Sequence, residues 1–227
     1  MAAPDFTVTI HQAQRKEGVW LAEHPFVQAV RSGLATRDDM RRWVRQIYCT
    51  TRTYGEVLLS LSPPPPVGVW LDPWRDLEML AQLARALGVT QGSLAASTPS
   101  VDARVLQSWF HLVLTPRSHH IRAQVCWALV EAMNPEVGAC LAEGATRYFG
   151  LKLKDLAYLK MGMKSRRGAD RYAARLLSQI PTPEWPSIRF QTLQVSGLMA
   201  RVYDSLPLQL FNNLQYIRSF RSCFLTQ

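Results

Sequence analysis

Between positions 40 and 61, Met40, Trp43, Val44, Ile47, Tyr54, Val57, Leu58 and Leu61 recur at helical spacing, and most of the constraint on the fold lies in that stripe. Such spacing stacks side chains along one side of an α-helix, which then has to be buried against another element. Arg41, Arg42, Arg45 and Gln46 fall on the opposite side. Just ahead, Thr36-Arg37-Asp38-Asp39 has the form of a capping box, in which a hydroxyl and an acid three residues on satisfy the first free N–H groups. Four prolines at 63–66 end the helix, because proline lacks the N–H and restricts the residue before it.

The rest of the chain offers helices and almost no strand signal. A second helix is expected over 73–87, with Gly88 in the place of a C-terminal glycine cap. After a loop at 92–99, helical patterns run over 101–114, 121–133, 135–149 and 166–179. A connector with three prolines occupies 180–186. The final stripe, with Val195, Leu198, Val202 and Leu206, lies in 188–206. About seven helices with short links and no repeat period predict an all-α fold: one compact bundle spanning 1–227, its core at about 18–206. The tail at 207–227 differs, interleaving Phe211, Tyr216, Ile217, Phe220 and Phe224 with Arg218 and Arg221. Packing back on its own domain is one expectation for it; docking to a second copy or to a partner protein is the other.

Composition narrows the function classes. Of 227 residues 48% are hydrophobic and 19% charged, a globular balance and not a disordered one. No apolar run is long enough for a membrane span. The start, Met1-Ala2-Ala3-Pro4-Asp5, shows no secretory pattern, so residence in the cytoplasm is expected. The net charge of +9 comes from arginines spread along the chain, such as Arg117, Arg122 and Arg166, with no nucleic-acid motif. A solvated basic surface is therefore expected, and not a nucleic-acid interface. Cys49, Cys126, Cys140 and Cys223 have apolar neighbours and no Cys-x-x-Cys spacing, which predicts reduced core thiols.

Three stretches carry a family resemblance. One is His24-Pro25-Phe26, then Gly33-Leu34-Ala35-Thr36 and the helix with Trp43 and Tyr48. Another is Leu77-Glu78 through Ala86-Leu87-Gly88-Val89. The third is Cys126 through Glu131-Ala132-Met133 and Pro135, then Arg147-Tyr148-Phe149. In their order these resemble the haem-oxygenase-like superfamily that includes pyrroloquinoline quinone synthesis protein C and thiaminase II, with the quinone-synthesis branch nearer. The resemblance implies a haem-oxygenase-like bundle with a small-molecule site inside it.

The chain departs from the metal-using members of that superfamily. Those carry a late-helix pair of histidines, whereas this chain has no histidine after His120. Glu78 stands where the resemblance would put a histidine, so no metal site and no bound cofactor are expected. Glu131, in an apolar helix, is a candidate acid or base, or else a structural acid paired with Arg147. The resemblance places His24 at the mouth of a site where it would move protons; a capping or core histidine is the other reading. Tyr48 joins these two as a catalytic candidate. Tyr54 and Tyr148 are expected to point inward beside it. Arg147, Arg167, Arg171, Tyr148, Tyr54 and Glu78 are the substrate-binding candidates, since guanidinium groups grip anions in two-point fashion. Arg171 stands where the family's final histidine would fall. His111 is expected in the core, and His119 and His120 in solvent.

Three functions follow. The first is a cofactor-independent oxidoreductase for a small anionic aromatic or amino-acid-derived metabolite, with dioxygen as co-substrate. The second is a non-catalytic binding or partner protein of the same fold. The third is a thiaminase-II-like hydrolase using Cys126, whose expected role is nonetheless that of a core thiol.

Overall fold

The computed structural model describes residues 2–60, 72–114 and 120–206, with side chains described throughout except at 114, 120 and 162–167. The prolines at 63–66, His119, the side chains of His120 and Arg167, and the tail at 207–227 lie outside the described residues. Within them are ten α-helices and three short 3-10 turns, and no strand. The helices are α1 (Ala3–Lys16), α2 (Pro25–Ser32), α3 (Arg37–Ser60), α4 (Pro73–Ala86) and α5 (Gln91–Ala95). They continue as α6 (Val101–Leu114), α7 (His120–Glu131), α8 (Asn134–Phe149), α9 (Ala157–Leu177) and α10 (Trp185–Asp204). No helix among the described residues is long and apolar enough to cross a membrane.

The expected local signals form. Asp39 accepts from the Thr36 backbone N–H at 2.8 Å and from its hydroxyl at 2.7 Å, while Thr36 Oγ1 accepts from the Asp39 N–H. That box starts α3, whose stripe from Met40 to Leu58 is buried. Gly88 at φ +85° closes α4: its N–H reaches the Arg85 carbonyl, and the next N–H, of Val89, reaches that of Ala84. This pair of bonds needs a left-handed residue, the conformation glycine adopts without strain. Arg41 of α3 donates to the neighbouring Leu87 carbonyl at 2.7 Å and ties the two helices together.

At the centre stands α7, where Ala123, Val125, Cys126, Trp127, Ala128, Leu129 and Val130 are all buried. A helix apolar on every side has to be surrounded, and α9 and α10 pack against it. In turn α8 packs between α2 and α9, and α3 lies against α4 and α6. Two glycines set how closely α8 is held. A Cβ on Gly144 would sit 2.1 Å from the Val30 carbonyl oxygen of α2. One on Gly138 would sit 2.3 Å from that of Leu159 in α9. Only a residue without a side chain permits these backbone approaches.

Five elements differ from the sequence expectation, one of them α2, the eight-residue helix that follows His24 where no helix was expected. The helix α1 was hidden because half its buried face is polar: Thr7, His11 and Gln14 lie there beside Phe6 and Ile10. These groups are partnered. His11 Nε2 contacts Asp170 of α9 at 2.7 Å and its Nδ1 contacts Gln14 Oε1 at 3.0 Å, while Gln14 Nε2 donates to Ser196 of α10 at 2.9 Å. The five-residue α5 overlaps the start of the expected loop and is begun by Thr90, whose Oγ1 accepts from the Ser93 N–H. The helix α9 begins at Ala157, well before 166, its first half obscured by Lys160, Gly162 and Lys164. Similarly α10 begins within the three-proline connector, because Pro186 falls in its first turn, where the missing N–H is not needed.

Gly144→Ala drives a methyl group into backbone, so urea unfolding should show a loss of about 1–3 kcal/mol. Gly92→Ala meets nothing within 4 Å and should change stability by less than about 0.5 kcal/mol.

Candidate active site

A cavity of about 320 Å³ opens inside the bundle, bounded by α3, α4, α7, α8, α9 and α10. Its aromatic walls are Trp43, Trp127, Tyr158 and Tyr203, with Ile47, Val137, Leu141, Leu159 and Met199 between them. Polar groups are few and converge: Glu131 from α7, Asn134 from α8, Arg75 and Asp76 from α4, Thr50 and Thr51 from α3. An apolar cleft with a few placed polar groups is the usual form of a small-molecule site.

Each polar group has a local reason for its place. Glu131 is the last residue of α7, and Asn134 opens α8 after a two-residue reversal, so Asn134 Nδ2 donates to Glu131 Oε2. Burial pushes the Glu131 carboxyl up to about 8, and the nearby charge of Asp76 adds to the shift. Asp76 lies on the inward stripe of α4, one turn before Leu80, which is fully buried. Burial pushes it up to about 7, opposed by Arg75, and its Oδ1 has no hydrogen-bond partner among the described residues. Two carboxyls lining one cavity titrate as a pair, and neither is fully ionised at neutral pH. The hydroxyls of Tyr158 and Tyr203 are raised by burial, so both remain protonated.

The sequence candidates divide. Glu131 lines the cavity, and its partner is Asn134, while Arg147 is exposed and stacks on Tyr148 at 5.3 Å. Tyr54 is buried, stacked on Phe110 at 5.2 Å and on cavity-lining Trp127 at 5.4 Å, and its pKa is raised by burial and by Glu131. His24 caps α2: its Nδ1 accepts from the Phe26 N–H at 3.2 Å and its Nε2 meets Asp204 at 3.1 Å. Burial lowers the His24 pKa against the pull of Asp204, which suits a neutral ring donating from Nε2. Its ring stands edge-on to Tyr203 at 5.4 Å without lining the cavity. Tyr48 is half-buried and off the lining.

Four candidates sit outside. Glu78 and Arg171 are exposed; Asp170 takes the inward position toward His11, so its neighbour Arg171 is turned about 100° round the helix. Tyr148 is 43% exposed and does not point inward, because its ring lies over Gly33. The fourth is Arg147, already placed. His111, expected in the core, is exposed because Phe110 occupies the buried stripe of α6. The sequence reading missed Arg75, Asp76, Asn134, Tyr158 and Tyr203. Asp76 was the findable one: a carboxylate at the head of the stripe Leu80, Leu83, Leu87.

Cys126 is fully buried and its thiol faces the Ile188 carbonyl and Gln191 of α10, at 3.7 and 4.0 Å. Burial pushes this thiol up to about 12. Cys49 is buried and Cys140 half-buried, and both are free thiols.

These helices make a haem-oxygenase-like fold. No protein-family model and no curated protein matches the chain. Among solved structures it is similar to haem oxygenase-1 from the cyanobacterium Synechocystis in complex with haem, at 12% identity and a TM-score of 0.69, covering 96% of this chain and 99% of that one. It is also similar to a TenA homologue from Pseudomonas syringae, at 12% identity and a TM-score of 0.67, covering 91% and 95%. A third is a domain of unknown function with the same fold from Shewanella denitrificans, at 15% identity and a TM-score of 0.69, covering 89% and 94%.

The residues here do not fit a haem. Among the described residues no histidine lines the cavity to serve as an axial ligand, and its tyrosines are held protonated. Among the described residues no group of three or more His, Cys, Asp or Glu side chains is placed to hold a metal ion.

The two acids give stability a sign. Both hold protons more tightly in the folded chain than their usual values of 4.5 and 3.8. Their contribution is therefore full at acid pH and is lost as pH rises through about 7 and then about 8. Denaturant midpoints should fall between about pH 5 and about pH 9, and Glu131→Gln should flatten that decline. An unchanged slope in the variant would remove Glu131 from the titrating pair.

Proposed function

We propose that this chain is a metal-independent, cofactor-independent oxidoreductase acting on a small, planar, anionic metabolite held in the cavity. The observation that carries this reading is Glu131: a carboxyl pushed up to about 8, set in an aromatic wall beside a second raised acid. A base works best when its pKa lies near the working pH, and desolvation is the means of bringing a carboxylate there. Trp43, Trp127, Tyr158 and Tyr203 offer faces and edges for a flat ring.

The reaction balances without a resident redox group. Glu131 takes a proton from the bound donor, and the resulting carbanion or enolate gives two electrons to dioxygen. Dioxygen leaves as hydrogen peroxide, with the two protons lost by the donor. The hydroxyls of Tyr158 and Tyr203 are available to supply hydrogen bonds as charge develops. The redox half of the proposal leans on the sequence resemblance to the quinone-synthesis branch. A TenA-like hydrolase reading would require a thiolate, and a thiol at about 12 supplies none at neutral pH.

Aromatic hydroxy and amino acids incubated with the protein in D2O test the proposal by NMR exchange, oxygen uptake and peroxide release. The wild type should exchange a carbon-bound hydrogen and consume oxygen, and Glu131→Gln should slow both by about 100-fold or more. Cys126→Ser should lower stability and leave both rates in place. A folded protein that binds these compounds yet neither exchanges nor oxidises them is a binding protein, and the proposal fails.

A further inference from the structure

The helix α6 is apolar on two sides. Ala103, Leu106 and Phe110 are fully buried on its inner side, and α3, α7 and α10 pack against the helix. At 100° per residue Val101, Val105 and Leu112 fall on the opposite side. They are 65%, 45% and 74% exposed, so among the described residues no element covers this row. Exposed Ser108 completes its spacing, and half-buried Trp109 flanks it. A solvated helix face ordinarily carries polar groups, and an apolar row of this kind is the seat of another element.

The chain itself supplies the occupant. At the end of α10 the hydroxyls of Ser205 and Ser100 are hydrogen-bonded at 3.0 Å, which puts residue 206 beside the first turn of α6. Pro207 follows and bars a continuation of α10. Beyond it Leu210, Leu214, Ile217, Phe220 and Phe224 recur at helical spacing. The intervals from 210 to 214 and 217 repeat those from 101 to 105 and 108. A helix that turns back at Pro207 and runs parallel to α6 sets Leu210 beside Val101, Leu214 beside Val105 and Phe220 beside Leu112. At 1.5 Å per residue the two rows have lengths of about 15 Å and about 16 Å. The same direction brings Arg218 and Arg221 to the C-terminal end of α6, where unpaired carbonyls favour cations.

We infer that residues 208–224 form an amphipathic helix seated in parallel on the Val101, Val105 and Leu112 face of α6. The tail is then an outer helix of the same bundle, and α6 becomes a buried layer between it and α10. The inference is independent of the cavity and of its chemistry.

Limited trypsin digestion of the full chain, with the cut bonds identified by mass spectrometry, tests the seat. In the wild type cleavage after Arg218 and Arg221 should be at least about tenfold slower than in Val105→Asp, Leu112→Asp or Leu214→Asp. These substitutions fall on exposed positions or in the tail, and circular dichroism should find the bundle folded in each. Crosslinking carries the decision for any that is not. In a chain bearing Cys140→Ser and Cys223→Ser, a short bismaleimide should join the thiols of Val105→Cys and Leu214→Cys into a product of monomer mass. Leu153→Cys, exposed in the turn that packs against α4, should join Leu214→Cys at least about tenfold less. A product of dimer mass would give the seat to a second copy. Equal cleavage in the wild type and the folded aspartate variants, equal crosslinking from 105 and 153, or no crosslinked product would leave the tail off α6. Each of these results overturns the inference.

Discussion

Two missing side chains on α8 set the distances on which the interior depends. At Gly144 the backbone of α2 lies against α8, and at Gly138 the backbone of α9 does the same. Gly138 also lines the cavity, so one absence both admits α9 and leaves room beside it. Tyr158, Leu159 and Met161 ride on the stretch of α9 that Gly138 positions. With a larger residue there, the aromatic wall and the Met161 side chain would both move. Helix packing and cavity shape are therefore one problem in this bundle, solved at a single backbone contact.

The second organising element is α7, which is buried on every side and yet ends in a carboxyl. An apolar helix delivers Glu131 into a desolvated place that a polar helix could not reach. The immediate reversal into α8 supplies Asn134 as the hydrogen-bond donor that makes this burial tolerable. Asp76 arrives by a different route, at the open end of an inward stripe on α4. Among the described residues neither acid has an arginine clamped onto it in the manner of a structural ion pair. Ion pairs such as Arg31–Glu143 and Arg41–Asp38 lie on the surface, where they contribute little.

Much of the fold could be read from the chain, because the signals were local and strong. The Thr36–Asp39 box, the stripe behind it and the glycine after α4 act over a few residues and formed as expected. What escaped had its cause in tertiary contact. Nothing in the segment carrying His11 and Gln14 announces a helix until Asp170 and Ser196, far along the chain, are there to satisfy them. The site was legible in the same proportion. Glu131 stood out as an acid in an apolar run, whereas Arg75 and Asp76 look like an ordinary polar helix start until α7 and α9 close over them. The arginines of α8 and α9 were candidates for their guanidinium chemistry and, at Arg171, for the place of a family histidine, and neither says which way a side chain faces.

The paired acids of the cavity also bear on how such a protein changes under selection. A buried carboxyl on a hydrophobic stripe is a weak point in the packing, and an apolar residue of similar volume would hold the helices together better. Variants sorted for heat resistance alone would accordingly drift toward leucine or methionine at 76 and 131, and the cavity would fill with hydrocarbon. Thermal robustness and chemical capacity pull in opposite directions at these two positions. A descendant of this chain that had drifted this way would carry the mark of it there, in a sturdier and more fully packed interior.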